Sequence, residues 1–295
     1  MKNLLIVVLA FFVSSAYAQD YTFKVLIAKG QNTVKSGDGW LPIKVGTSLK
    51  ETDELRVAED GYLGLVHKEG KPLEVKQSGP YKVTDLLSRV KVNTSVLHKY
   101  TDFLLSSTED AGTNLVATGA VIRGDEMIRL YLPESNKAVV LNDEVVVSWT
   151  RQPNVTGYTV LFKSLFGDEL SRFETQDTTL TVDLSGPKFA KEDNILVKVE
   201  AKNDGQIKSE DKYIKRLSKA DKERIRTELK ELKDLIAEKT AMNQFMLATF
   251  YEQNMLLIDA ATAYQKAIKL APDVADFQTA FNQFVLRQGL MPKKP

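Results

Sequence analysis

The hydrophobic pattern of this 295-residue chain changes its period at about residue 218. From about residue 20 to 217, short runs alternate apolar with polar residues, and turns containing glycine or proline separate the runs. Two-residue alternation is typical of strands that bury one face. After residue 218 the apolar residues recur every three to four positions, which indicates helices. The sequence therefore predicts a multidomain chain that is mainly β at first and then all-α.

The first 18 residues have the features of a secretory signal peptide. Lys2 precedes a run of apolar residues at 4–13, and the small residues Ala16 and Ala18 follow. This order predicts cleavage after Ala18. The run is about half the ~20 residues that a bilayer-spanning helix needs, so no transmembrane span is expected. The chain has no cysteine to carry a lipid at the cut, and we expect a periplasmic or secreted location.

Residues 19–90 are predicted to form a small β-domain. Glycine-containing turns recur through this stretch, and β-branched runs lie between them. The segments 40–49, 53–57, 61–67 and 73–75 resemble the FecR-type β-domain of bacterial envelope proteins. Residues 91–127 are predicted to hold an amphipathic helix at 93–107 and then a polar linker.

Residues 128–217 are predicted to form an antiparallel β-sandwich. Alternating runs occupy 145–149, 157–162, 179–184 and 195–201, and turn residues separate them. Trp149 ends one run, and Gly157 and Tyr158 begin the next. These features resemble a fibronectin type III module. The resemblance implies an immunoglobulin-like sandwich in which Trp149 is a core residue.

Residues 218–295 are predicted to form a helical domain. Ser218 and Asp221 make a capping box for the first helix. From residue 241, the spacing of apolar and small residues resembles one tetratricopeptide repeat, with matches at Leu247, Ala248, Tyr251, Ala260, Tyr264, Ala267 and Pro272. The resemblance implies two antiparallel helices in close contact. A further helix at 274–287 begins another unit, so we expect an end that is similar to a four-helix bundle.

The repeat resemblance also implies a partner-binding face on the first repeat helix. The inner-face positions fall on Met242, Phe245, Thr249, Glu252 and Gln253. Methionine and phenylalanine offer an adaptable apolar surface for a peptide. In the alternative interpretation the neighbouring helix covers the same residues, because a short stack must bury its faces somewhere.

No residue pattern in the sequence points to catalysis or to a cofactor. His67 and His98 lack further ligands at metal-binding spacing, and no nucleophile elbow or phosphate-binding loop occurs. The 40 Lys and Arg residues balance 39 Asp and Glu residues, so no broad basic surface for nucleic acid is expected. We therefore expect a non-enzymatic adaptor or scaffold that binds an envelope protein or peptide, without metal or cofactor. The alternative is glycan or cell-wall binding on an exposed Trp40.

Overall fold

The computed structural model describes residues 21–90, 127–232 and 237–290. The predicted leader, the predicted helix and linker between the two β-rich parts, and His98 lie outside these residues. Sheets come first along the described chain and packed helices follow, so the predicted order of β and then α is confirmed. We call residues 21–90 the first β unit, 127–217 the second β unit, and 218–290 the helical layer.

The first β unit contains two antiparallel four-stranded sheets. In spatial order, the first sheet is β4-β1-β6-β7 and the second is β3-β2-β5-β8. A short helix, α1 (Val83–Leu87), follows the last strand. The strands are β1 (Phe23–Lys29), β2 (Thr33–Ser36), β3 (Gly39–Pro42), β4 (Ser48–Leu49), β5 (Glu54–Val57), β6 (Tyr62–His67), β7 (Pro72–Val75) and β8 (Gly79–Lys82).

Strand β6 is buried on both faces. Leu63 and Leu65 pack in the core of the first β unit, as the two-residue period predicts. Tyr62 and Val66 point to the opposite face, where they join the hydrophobic cluster of the helical layer. A strand that faces water on one side would show a polar residue at every second position. The helical layer therefore covers the outer face of this sheet.

The second β unit also contains two sheets that share one hydrophobic cluster. Strands β10 and β13 pair with each other, and the larger sheet has the order β12-β11-β14-β16-β9, with β15 paired to β14. Strand β9 runs parallel to β16. Trp149 is 2% exposed and contacts Tyr158 edge to face, so its predicted core position is confirmed. The strands are β9 (Val139–Val140), β10 (Glu144–Ser148), β11 (Tyr158–Lys163), β12 (Glu169–Thr175), β13 (Thr179–Asp183), β14 (Asn194–Ala201), β15 (Asp204–Lys208) and β16 (Lys212–Arg216).

The helical layer contains α2 (Lys219–Glu231), α3 (Ala241–Gln253), α4 (Leu257–Leu270) and α5 (Ala275–Arg287). Helix α2 begins as predicted, because the Ser218 hydroxyl accepts a hydrogen bond from the Asp221 amide. The alanines at 248, 260 and 267 are fully buried, which lets α3 and α4 approach closely. In the described parts of the chain, no helix is both long and apolar enough to cross a membrane.

Helix α3 is the central element of the structure. All of its residues from 241 to 252 are buried, so it has no solvent-exposed face over those three turns. Such all-round burial places a helix in the interior of its protein. It packs against α4 and against β7 of the first β unit, and its cluster extends to Leu26, Val66 and Leu141. The helical layer and both β units therefore form one packed body.

Candidate functional site

Four of the five predicted partner-binding residues on α3 are inside the protein. Met242 and Thr249 are fully buried, and Phe245 and Glu252 are at most 2% exposed. Only Gln253, at the last turn of the helix, reaches the surface. The open groove of the repeat resemblance is thus filled in this chain. The alternative that the sequence left open was that the neighbouring helix covers these residues. They are indeed covered, but strands of the first β unit contribute to the burial as well as a helix.

Three neighbouring elements, α4, α5 and β6, contact the side of α3 that carries Met242 and Phe245. The ring of Phe245 packs against Tyr264 of α4 and Phe277 of α5, with ring centroids 5.9 and 5.7 Å away. The Met242 sulfur lies directly over Gly64 of β6. The first β unit therefore covers part of this side of α3.

Glu252 is the centre of a buried polar network rather than a binding residue. Its carboxylate accepts two hydrogen bonds from the Arg287 guanidinium, at 3.1 and 2.9 Å. It also accepts bonds from the Tyr264 hydroxyl at 3.0 Å and the Gln288 amide at 2.9 Å. A buried carboxylate needs such partners to replace its lost hydration. Glu252 therefore joins α3, α4 and the end of α5.

A second carboxylate joins the helical layer to the first β unit. Glu74 of β7 accepts a hydrogen bond from the Met242 amide at 2.7 Å, in the first turn of α3. The same oxygen accepts from the Tyr62 hydroxyl at 2.8 Å, and the other oxygen pairs with Lys76. A carboxylate at a helix N-terminus satisfies a free amide and opposes the positive end of the helix dipole. On α5 the roles are reversed, because the helix residue Asp276 accepts a hydrogen bond from the Ala28 amide of β1 at 3.1 Å.

A third carboxylate joins the helical layer to the second β unit. Asp259 is 2% exposed and accepts hydrogen bonds from the amides of Leu141 and Asn142, at 2.8 and 3.0 Å. The Asn142 side chain donates to it as well, at 2.8 Å. Burial raises the pKa of Asp259 to about 6, although the accepted hydrogen bonds act in the opposite direction. One turn further along α4, the Thr262 hydroxyl accepts from the Val146 amide at 3.0 Å.

Trp40 lies on the solvent side of the second sheet in the first β unit. Its ring is partly exposed, and the Arg56 guanidinium stacks over it, 3.9 Å from the ring centroid. The neighbouring Leu41 is 54% exposed on the same edge strand. One face of the ring is therefore occupied by a cation, which reduces the area that a sugar ring could contact.

His67 has a structural environment. It is 3% exposed, packs edge to face against Phe23, and accepts a hydrogen bond from the Glu69 amide. Burial lowers its pKa. Over residues 21–90, 127–232 and 237–290, no group of three or more acidic or histidine side chains is arranged to hold a metal ion.

Among the described residues, the most exposed large apolar side chain, Phe166, lies on a surface that the sequence reasoning did not select. Phe166 is 93% exposed and its neighbour Leu165 is 49% exposed, at the turn between β11 and β12. The sequence signal was present, because a turn that ends in Gly167-Asp168 has no structural need for two large apolar residues.

No protein-family model and no curated protein matches this chain.

Proposed function

We propose that this chain is an exported, non-enzymatic adaptor or scaffold of the bacterial cell envelope. In this proposal it binds other proteins through the outer surfaces of its β units and through the exposed end of its helical layer. The observation that carries the proposal is the pair of carboxylate junctions at Glu74 and Asp259, which attach both β units to one helical layer. A scaffold must hold separate binding surfaces at fixed distances, and buried junctions of this kind do so.

The finer assignments are part of the same proposal. For the second β unit, the fibronectin type III assignment is supported by the division of its antiparallel strands into two sheets, β10-β13 and β12-β11-β14-β16, and by the core position of Trp149. The parallel pairing of β9 with β16 departs from the antiparallel pattern that the resemblance implies. The tetratricopeptide assignment is supported by the buried alanines between α3 and α4. The FecR-type assignment of the first β unit rests on the sequence resemblance and on its two small sheets. Each of these modules commonly serves as a binding domain, although fold alone does not give function.

Site-directed photo-crosslinking in the source cells tests the proposal. A photoreactive residue would replace one exposed side chain on each part of the molecule, namely Leu41, Tyr213 and Met255, which are 54%, 39% and 45% exposed. We expect at least one position to give a discrete adduct with an envelope protein. The matched control is Glu223, which is exposed on α2 of the same chain. If the yield of crosslinked adduct at all three positions is no higher than the yield at the control position, the proposal is contradicted.

The second candidate function is glycan or cell-wall binding on Trp40. It is supported by the partial exposure of the ring at a sheet edge. The test is sedimentation with purified peptidoglycan, with Trp40→Ala compared to Leu41→Ala on the same strand. If the chain is a glycan binder, only the tryptophan variant should lose binding. Equal sedimentation of both variants and the unaltered chain would exclude a role for this ring.

A further inference from the structure

The hairpin between β11 and β12 ends in two adjacent apolar side chains, and we call residues 164–168 the tip. Phe166 and Leu165 project from this turn with 93% and 49% of their surface exposed. Apolar residues scattered singly on a surface are ordinary. Two neighbours at the outermost point of a hairpin are different, because together they form a small convex apolar surface.

Hydrogen bonds within the tip hold its backbone in one conformation, so the direction in which the tip projects is fixed. The Ser164 hydroxyl accepts hydrogen bonds from the amides of Phe166 and Asp168, both at 3.2 Å. The Ser164 amide donates to the Asp168 carbonyl at 2.9 Å, and Gly167 adopts a φ of +92° to close the turn. The two apolar side chains are thus displayed without a large loss of backbone entropy on binding.

The charged groups beside the tip carry a small positive excess, since the three cations Lys163, Arg172 and Lys188 face the two carboxylates Asp168 and Glu169. Each carboxylate has a hydrogen-bond partner. Asp168 accepts a hydrogen bond from the Ser164 hydroxyl at 3.1 Å, and Glu169 accepts two from Arg172, at 3.2 and 2.7 Å. The remaining two cations, Lys163 and Lys188, are close enough to contribute to the lowered pKa of Glu169.

We propose that the tip inserts into the headgroup region of an anionic lipid bilayer. Two protruding side chains cover far less area than the ~800 Å² per partner of a standard protein interface. Shallow insertion, in contrast, needs only a small apolar surface flanked by basic side chains, because the apolar groups enter the interface while the ammonium groups stay among the headgroups. The predicted leader would bring the chain to a compartment that borders a membrane.

Vesicle co-sedimentation of the chain without its predicted leader tests this proposal. The probe is a vesicle of phosphatidylcholine with about half phosphatidylglycerol, at low salt. We expect the unaltered chain to bind, and the double variant Leu165→Ser, Phe166→Ser to bind about tenfold more weakly, because it loses the apolar contribution. Leu286→Ser is the matched control, since this leucine is also 49% exposed but lies on α5. Binding should weaken with added salt and in Lys163→Gln, Lys188→Gln, because both reduce the attraction to anionic lipid.

A fluorescence measurement reports insertion directly. In Phe166→Trp, we expect the emission to shift to shorter wavelength with anionic vesicles and to be quenched by brominated acyl chains. Leu286→Trp should show neither change. Failure of the unaltered chain to bind at millimolar lipid would overturn the proposal, and so would equal binding by the double variant. Unchanged emission of Phe166→Trp would overturn it too, and would direct the search to a protein pocket. Since the three crosslinking positions lie outside the tip, either proposal can fail alone.

Discussion

At the residue scale, three carboxylates connect parts of the chain that are far apart in sequence. Glu74 reaches an amide 168 positions later, Asp259 reaches amides about 118 positions earlier, and Glu252 bonds Arg287. Their patterns in the sequence are unremarkable, since each has the spacing of an ordinary surface residue. Their roles come from the partners that the fold brings to them, which is why sequence reasoning placed Glu252 on a binding face.

Replacing Asp259 should change how stability depends on pH. Its pKa is about 6 in the folded chain against 3.8 for an aspartate side chain in water, so the folded state binds this proton more tightly. The stability contributed by this proton is fully present below about pH 4 and is lost as pH rises through 6, with a total of about 3 kcal/mol. Urea unfolding of the wild type and Asp259→Asn between pH 4 and 7 measures the effect. We expect the difference between their unfolding free energies to vary with pH over this window.

The control for this prediction is Asp38→Asn, in an exposed hairpin turn of the first β unit. Its unfolding free energy should follow the wild-type pH profile. If the free energies of unfolding of the wild type and Asp259→Asn differ by the same amount at every pH from 4 to 7, the Asp259 carboxyl does not titrate as predicted.

Removing the charge of Glu252 should strongly destabilise the chain. Glu252→Gln leaves the Arg287 guanidinium and the Tyr264 hydroxyl with a weaker partner in a buried place. Breaking a buried ion pair costs about 3–5 kcal/mol, and we expect about 2–4 because Arg287 is partly exposed. The matched control is Glu174→Gln, whose pair with Lys202 is exposed on both sides and is screened by solvent, so its loss should have little effect on stability. Similar losses in both variants, measured by chemical denaturation, would contradict the central role of Glu252.

At the element scale, the sequence predicts correctly the features that depend on local spacing, such as where helices begin and end. It does not predict the features that depend on contacts between distant parts of the chain. The cap at Ser218, the start of α3 at Ala241 and the end of the last helix before Gly289 follow from short-range spacing. The burial of Met242 and Phe245 could not be predicted in this way. It depends on β6, which lies about 180 residues earlier and whose double-sided burial is visible only once the sheet and helix are assembled.

The contact between β6 and α3 gives a prediction for Gly64. An added Cβ there would overlap the Met242 sulfur and would lie 2.9 Å from the Ile27 Cβ. Because both neighbours are buried, Gly64→Ala should lower the free energy of unfolding by about 1–3 kcal/mol. The control is Gly205→Ala on β15, where an added Cβ meets nothing within 4 Å. Equal midpoints for the two variants in urea would show that the strand and helix do not pack this closely.

At the scale of the whole molecule, the helical layer packs on both β units, so the three parts should unfold together. Trp149 reports on the second β unit, and in Trp40→Phe it is the only remaining tryptophan. Circular dichroism at 222 nm reports mainly on the helices. We expect coincident urea transitions for the two signals in this variant, as a two-state process requires. Separate midpoints would mean that the carboxylate junctions do not couple the parts.

The double-sided burial of β6 also constrains how such a chain is made. Synthesis proceeds from the N-terminus, so the first β unit emerges well before the helices that cover Tyr62 and Val66. During that interval its outer sheet face is an uncovered apolar surface, which favours association with other chains. The chain is therefore expected to depend on a holding chaperone until about residue 290 has emerged. Its last helices complete the folding of its first strands.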